Sequence, residues 1–294
     1  MWNATSNPAV RMDKMLHLPA KGERLKFLAS FVWIEAQACT FPFALIGLLA
    51  LTRAIDLPWL PRNDWMFVLC VLVQVLMVAF RLETLKDAAV VGVFHLLGMG
   101  LELYKVQQGS WSYPGDGFLK IGPVPLYAGF MYGSVASFMC LAWKKHDLRA
   151  TGWPSAVVTF PYALVVYAQF FVPFWPMAAR VLMVAVTAWL FRKSLVHFTA
   201  AEKRWHIPMP LAFALIGSMI YIAENMGTAL GAWLYPNQLD GWQPVHPTKL
   251  LSWILLMTVS LVIVAEYKRR TIQSAACTPA CSPPSSSLPP PTSS

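Results

Sequence analysis

Three carboxylates, Glu35, Glu102 and Glu224, sit in stretches of sequence that otherwise hold almost nothing but apolar side chains. An ionisable group in such a stretch costs about 2.5–3.5 kcal/mol to insert into a membrane, so it faces a helix-bundle interior and is a functional candidate by default. No lysine or arginine shares a stretch with any of the three as an evident partner. A desolvated carboxylic acid of this kind can donate a proton or carry one. His95 lies seven residues before Glu102 and Gly98 four before it, which puts all three on one helical face. Proton relay or metal binding is the chemistry such a His–Glu face offers, and the plainer role for the histidine is a hydrogen-bonded packing residue. These four residues, Glu102, Glu224, Glu35 and His95, are the acid–base candidates.

Around two of the glutamates the surrounding sequence repeats. At an offset of 122 residues, Glu102 aligns with Glu224, Gly109 with Gly231, Trp111 with Trp233, Tyr113 with Tyr235, Pro114 with Pro236 and Pro125 with Pro247. The shared form is E-x8-W-x-Y-P with a second proline eleven residues on. Such self-similarity signals a fold built twice from one unit. Trp and Tyr belong at a membrane interface, and a proline at the start of a helix loses no needed N–H. A well-anchored turn therefore explains the aromatics and prolines by itself. In the functional reading, Trp111, Tyr113, Trp233, Tyr235 and Asn225 line a substrate, the ring faces sheltering a developing positive charge. Tyr221, three residues before Glu224, is placed to hydrogen-bond it. Gly129-x3-Gly133 and Gly227-x3-Gly231 let helices approach closely.

The elements that must position these residues are membrane helices. The chain is 57% hydrophobic and 13% charged, with a mean hydropathy of +0.51, whereas a soluble domain carries about 25% charge. Eight apolar stretches of spanning length are read at 27–51, 65–81, 86–105, 123–143, 155–172, 175–192, 208–230 and 248–266. A tight hairpin at Val172–Pro176 is expected to part the fifth from the sixth; one broken helix there would leave seven spans. Seventeen of the 23 lysines and arginines then fall on one side, which predicts an inner-membrane protein with both termini cytoplasmic. The expectation is an all-α polytopic bundle of about eight spans in two parallel four-helix repeats. Its parts are an N-terminal segment (1–26), a first membrane half (27–143), a cytoplasmic loop (144–154), a second half (155–266) and a disordered Ser/Pro-rich tail (267–294).

The net charge of +9 is accounted for by topology, so no nucleic-acid partner is expected. Neither is a metal: Cys277 and Cys281 have no further ligand nearby, while Cys39, Cys70 and Cys140 read as apolar packing. Phosphate loops, HExxH and GxSxG are absent from the sequence. The first apolar run reads as an uncleaved anchor.

Residues 109–125 resemble the outer turn of polytopic carotenoid enzymes. In membrane lycopene cyclases a G-x-W-x-Y stretch leads to I-G-x-V-P, as in Gly109, Trp111, Tyr113 and Ile121–Pro125 here. The paired acids that follow in those cyclases are replaced by Leu126, Tyr127 and Ala128, so Glu102 better matches the integral-membrane carotenoid hydratases. This likeness implies protonation of a double bond in an isoprenoid or other apolar lipid, with no external cofactor. Over its whole length the chain more closely resembles an uncharacterised bacterial integral-membrane family, domain-of-unknown-function family 817. Glu35 with the following Ala-x-Ala-Cys-Thr-Phe-Pro, and the block from His95 to Pro125, carry that resemblance. It implies a polytopic inner-membrane protein and assigns no reaction. The alternatives are a proton-coupled small-molecule transporter and a non-catalytic membrane partner. Membrane lipids are the expected surroundings in each case, and the sequence leaves the oligomeric state open.

Overall fold

The structure is a computed structural model that describes residues 21–172 and 176–276, the side chains of Lys21 and 269–276 excepted. Cys277, Cys281, the basic residues Arg11 and Lys14, and the middle of the expected 172–176 hairpin lie outside the described residues. Nine α-helices occur among the described residues, in chain order α1 (Lys21–Ala38), α2 (Thr40–Ala54), α3 (Arg62–Ala79), α4 (Leu85–Gln107), α5 (Ala128–Lys145), α6 (Ala156–Ala168), α7 (Met177–Leu190), α8 (Met209–Ala229) and α9 (Lys249–Ala276). Five short strands join them: β1 (Lys120–Ile121), β2 (Val124–Pro125), β3 (Arg149–Thr151), β4 (Leu195–Ala200) and β5 (Lys203–Pro208).

Every expected apolar stretch coincides with helix, but not every one is a span. α3, α4, α8 and α9 are long and apolar enough to cross a membrane, and α1 with α2 makes a fifth if that bent pair is one span. The expected first span, 27–51, is thus corrected to two helices that meet at 65°. Pro42 is the cause: it has no N–H to give to the Ala38 carbonyl and its ring crowds that turn. The Thr40 hydroxyl donates to the Gln37 carbonyl at 2.7 Å beside the break. At 13 and 14 residues, α6 and α7 are about 20 Å long against a hydrocarbon core of about 30 Å. α9 continues to Ala276, past the expected end of the second half.

Two buried clusters organise the bundle. One joins α4, α5, α6, α8 and α9 through Phe94, Phe191, Phe213, Leu255 and Met257; the other joins α2, α3 and the turns through Phe41, Leu49, Met66 and Tyr235. Outward faces are apolar as well: Leu72 and Val75 of α3, Leu96 of α4 and Met219 of α8 are all exposed. An apolar core surrounded by apolar outer faces is the arrangement of a membrane protein.

α4 and α5 cross closely because glycines let them. A side chain at Gly98 would enter the ring of Tyr132, and one at Gly129 would come within 2.6 Å of the His95 Nδ1. β3, β4 and β5 form an antiparallel sheet, β3 within the expected cytoplasmic loop and β4 and β5 between the expected sixth and seventh spans. Its β4–β5 turn uses Ala201 and Glu202, both at positive φ, the two-residue geometry that suits strand twist. α1 lies against this hairpin through Phe27, Phe31, Phe198 and Trp205.

Candidate functional site

α4 opens on a capping box between Thr84 and Asp87 and closes at Gly109, at φ 67°. There the Gly109 and Ser110 amides return to the Val106 and Lys105 carbonyls. α8 closes the same way at Gly231, at φ 66°, its amide and that of Ala232 returning to Thr228 and Gly227. This paired closure is the Schellman cap, which needs a left-handed residue. The aligned glycines are therefore helix stops, and Gly231 is not the packing device its spacing suggested.

The cap turns the chain back over its own helix, which delivers the aromatics to the glutamate. Trp111 Nε1 donates to Glu102 Oε2 at 2.6 Å, and the Tyr113 hydroxyl donates to the same oxygen at 2.7 Å. From α5, the Tyr132 hydroxyl donates to Oε1 at 2.8 Å. The notch at Gly98 admits that ring. Glu102, 3% exposed, is thus held by three neutral donors. Glu224, 4% exposed, is held by two: the Tyr235 hydroxyl of its own turn and Trp253 Nε1 of α9. Burial first, and the adjoining glutamates next, push the Tyr113 and Tyr235 phenols well above the usual tyrosine value. Both remain O–H donors at any physiological pH.

The two sites form one cluster. Ser112 and Leu234, 122 residues apart, exchange both backbone hydrogen bonds at 2.9 Å in an antiparallel bridge. The Trp111 and Tyr235 rings meet edge to face at 5.8 Å. Lys249 Nζ lies 4.8 Å from the Trp111 ring centroid and 4.5 Å from that of Tyr235, the rings hydrogen-bonded to Glu102 and Glu224 respectively. Arg62 fastens the join by donating to the Leu230 and Gly231 carbonyls at 2.9 Å each. These are C-terminal carbonyls of α8, where a cation is favoured. Beside the turns, a 470 Å³ groove opens between Asp56, Trp59, Arg62, Asp116 and Phe118.

Other sequence candidates fall elsewhere. Trp233 makes no hydrogen bond to Glu224 among the described residues; its ring covers Gly227. Tyr221 is corrected too, since its hydroxyl donates to the Val245 carbonyl. Asn225 ties the same segment, donating to the Tyr221 carbonyl and accepting from the Val245 amide. Glu35 sits at the opposite end of α5, 3.2 Å from Nε2 of buried His146. His95 shares the α5-facing side of α4 with Gly98 and Glu102, its ring 4.7 Å from that of Phe130 and its Nδ1 without a hydrogen-bond partner among the described residues.

Sequence reasoning missed Tyr132, Trp253, Lys249 and Arg62. Under the 122-residue offset Tyr132 pairs with Ile254 and Met131 with Trp253, so the repeat does not bring these two aromatics into register. It also missed Glu83, buried among Gln74 and Ser137, and Asp87, which accepts from Lys268 at 2.8 Å. No group of three or more His, Cys, Asp or Glu among the described residues is arranged to hold a metal.

A family model for a protein of unknown function, DUF817, matches residues 27–261. The chain belongs to DUF817. An uncharacterised protein of Bacillus subtilis (strain 168), YoaT, is 44% identical to this DUF817 chain over 250 residues, 85% of this chain and 95% of its own. A crystal structure of MvINS, an Insig homologue from Mycobacterium vanbaalenii, is similar at a TM-score of 0.46 and 14% identity, over 62% of this chain and 93% of that one. A cross-linked trimer of MvINS gives 0.48 and 15%, over 64% and 96%.

Proposed function

We propose that Glu102 and Glu224 form one proton-carrying centre and that the protein is a proton-coupled small-molecule transporter of the inner membrane, with both termini cytoplasmic. The observation that carries this reading is the shared cluster: two buried carboxyls are joined through the touching rings of Trp111 and Tyr235, and one lysine lies over both rings. Protonating either carboxyl leaves its neutral donors in place and frees Lys249 from part of its counter-charge. The bridge between Ser112 and Leu234 supports a duplicated unit, because an antiparallel pair between equivalent residues implies a local two-fold axis. Two four-helix halves related about the membrane normal would have such an axis.

Acid catalysis on an apolar lipid such as an isoprenoid is the second reading, favoured by the aromatic sheath around both carboxyls. Against it, the Trp111 and Tyr235 rings that would shelter a carbocation already face Lys249.

The test pairs wild type with Glu102→Gln/Glu224→Gln, matched for folded protein. In proteoliposomes, wild type should move protons together with solute and the double variant should not. Lipid mass spectra from cells with an acyclic carotenoid pathway should be identical for both. A new isoprenoid species seen only with wild type would overturn transport in favour of catalysis. Full function in the double variant would leave a non-catalytic partner, since glutamine keeps an interface hydrogen bond.

A further inference from the structure

Lys249 is not the only cation at this end of the bundle. Lys105, in the last turn of α4, and Arg180, in the first turn of α7, lie within Coulombic range of each other and of Lys249. All three are only partly exposed. None forms an ion pair among the described residues, whereas Lys203, Lys268, Arg149 and Arg204 all do. Arg180 is the sharpest case: its Nε is buried and has no hydrogen-bond partner among the described residues. Lys105 rests over the ring of its neighbour Tyr104 at 5.6 Å, and Lys249 over Trp111 and Tyr235. Ring faces are what the two lysines have in place of carboxylates.

Charge balance makes this arrangement informative. The acids that act on Lys249 are Glu102 and Glu224, and their oxygens are already held by tyrosine and tryptophan donors. With both ionised, the three cations still exceed them by one; with one protonated, by two. Residues 173–175, which precede α7, are Pro, Phe and Trp and bring no acid. Partly buried cations in excess of their counter-charge are costly, and the cost is relieved by an anion arriving from outside. A guanidinium with an unused N–H beside two ammonium groups suits a carboxylate or a phosphate-like oxyanion.

We infer that Lys105, Arg180 and Lys249 form a binding site for an oxyanion, the carboxylate or phosphate group of the transported solute. The coupling part of this inference rests on the proton-carrying reading of Glu102 and Glu224, and the binding part does not. Protonation of one glutamate releases Lys249 toward the anion, so a proton and a singly charged solute bind together without net charge. Return of the proton restores the glutamate as the competitor of the solute for Lys249.

The test uses purified full-length protein with two probes, lactate and sulfate, titrated at constant chloride. Both keep their charge between about pH 5.5 and pH 7, so any pH effect belongs to the protein. Wild type should bind at least one probe saturably, about ten-fold more tightly at the lower pH. Arg180→Gln should weaken binding by on the order of ten-fold at both pH values, and Lys105→Gln, nearer the helix end, should weaken it in the same direction. Lactate alone identifies a carboxylate solute, and sulfate alone a phosphate-like one. In Glu102→Gln/Glu224→Gln the anion should still bind, with the pH effect gone. No saturable binding of either probe to folded wild type, or unchanged affinity in both single variants, overturns the anion site. Binding that stays equally pH-dependent in the double glutamine variant overturns the proton reading and leaves the anion site standing.

Discussion

At the scale of single residues, the site is a lesson in acceptors and donors. Among the described residues Glu102 has no lysine or arginine in hydrogen-bond contact; it is held by an indole and two phenols. Removing one such donor leaves a buried acceptor short, which costs roughly 1–3 kcal/mol. Trp111→Phe should therefore lower the thermal unfolding midpoint in detergent more than Trp233→Phe, although the two tryptophans align. Equal shifts would mean that the Trp111 bond contributes little. The phenols give a pH signature. Tyr113 and Tyr235 have folded-state values raised above their unfolded one, so their contribution is complete below the unfolded value of about 10 and is lost as pH rises beyond it. Alkaline titration should show stability falling from that region upward, with a shallower fall in Tyr113→Phe; an identical slope would remove Tyr113 from the account. The glutamates and their own-turn aromatics were legible because the motif occurs twice. Tyr132 was not, because one tyrosine in an apolar helix carries no local signal, and Lys249 read as just another basic residue near a helix end.

At the scale of elements, the α4–α5 crossing decides whether Tyr132 can reach Glu102. Gly98→Ala would force the Tyr132 ring aside, an overpacking penalty of about 1–3 kcal/mol, and would also break a bond to the carboxylate. Gly92 is the control, with nothing near its missing side chain. There alanine should be neutral or stabilising by about 0.5–1 kcal/mol through helix propensity. Thermal unfolding of the two variants side by side checks this, and similar losses at both positions would count against the notch. Helix positions were readable from apolar runs alone. The break in the first run was not, because a proline in the first turn of α2 is a comfortable residue for that helix and a disruptive one only for the helix before it. The β4–β5 hairpin was overlooked because its lysines and arginines were read for topology, while the alternation that builds strands went uncounted.

At the scale of the whole molecule, the two aligned turns meet each other, which no count of spans could have foretold. The facing residues of a hydrogen-bonded antiparallel pair have α-carbons about 5.5 Å apart, within reach of a disulfide. Ser112→Cys/Leu234→Cys should cross-link quantitatively under mild oxidation of isolated membranes, read as a mobility shift that thiol reduction reverses. Failure to cross-link in folded protein would place the turns apart.

That meeting of the turns is made of main chain, and main chain is indifferent to spelling. Ser112 and Leu234 have no side-chain chemistry in common, yet they pair as equals. Substitution at either position can proceed without opening the contact. Insertion or deletion of one residue between Gly109 and Tyr113, or between Gly231 and Tyr235, would shift the register and draw the aromatics away from their glutamate. These turns can change their letters freely, but not their length.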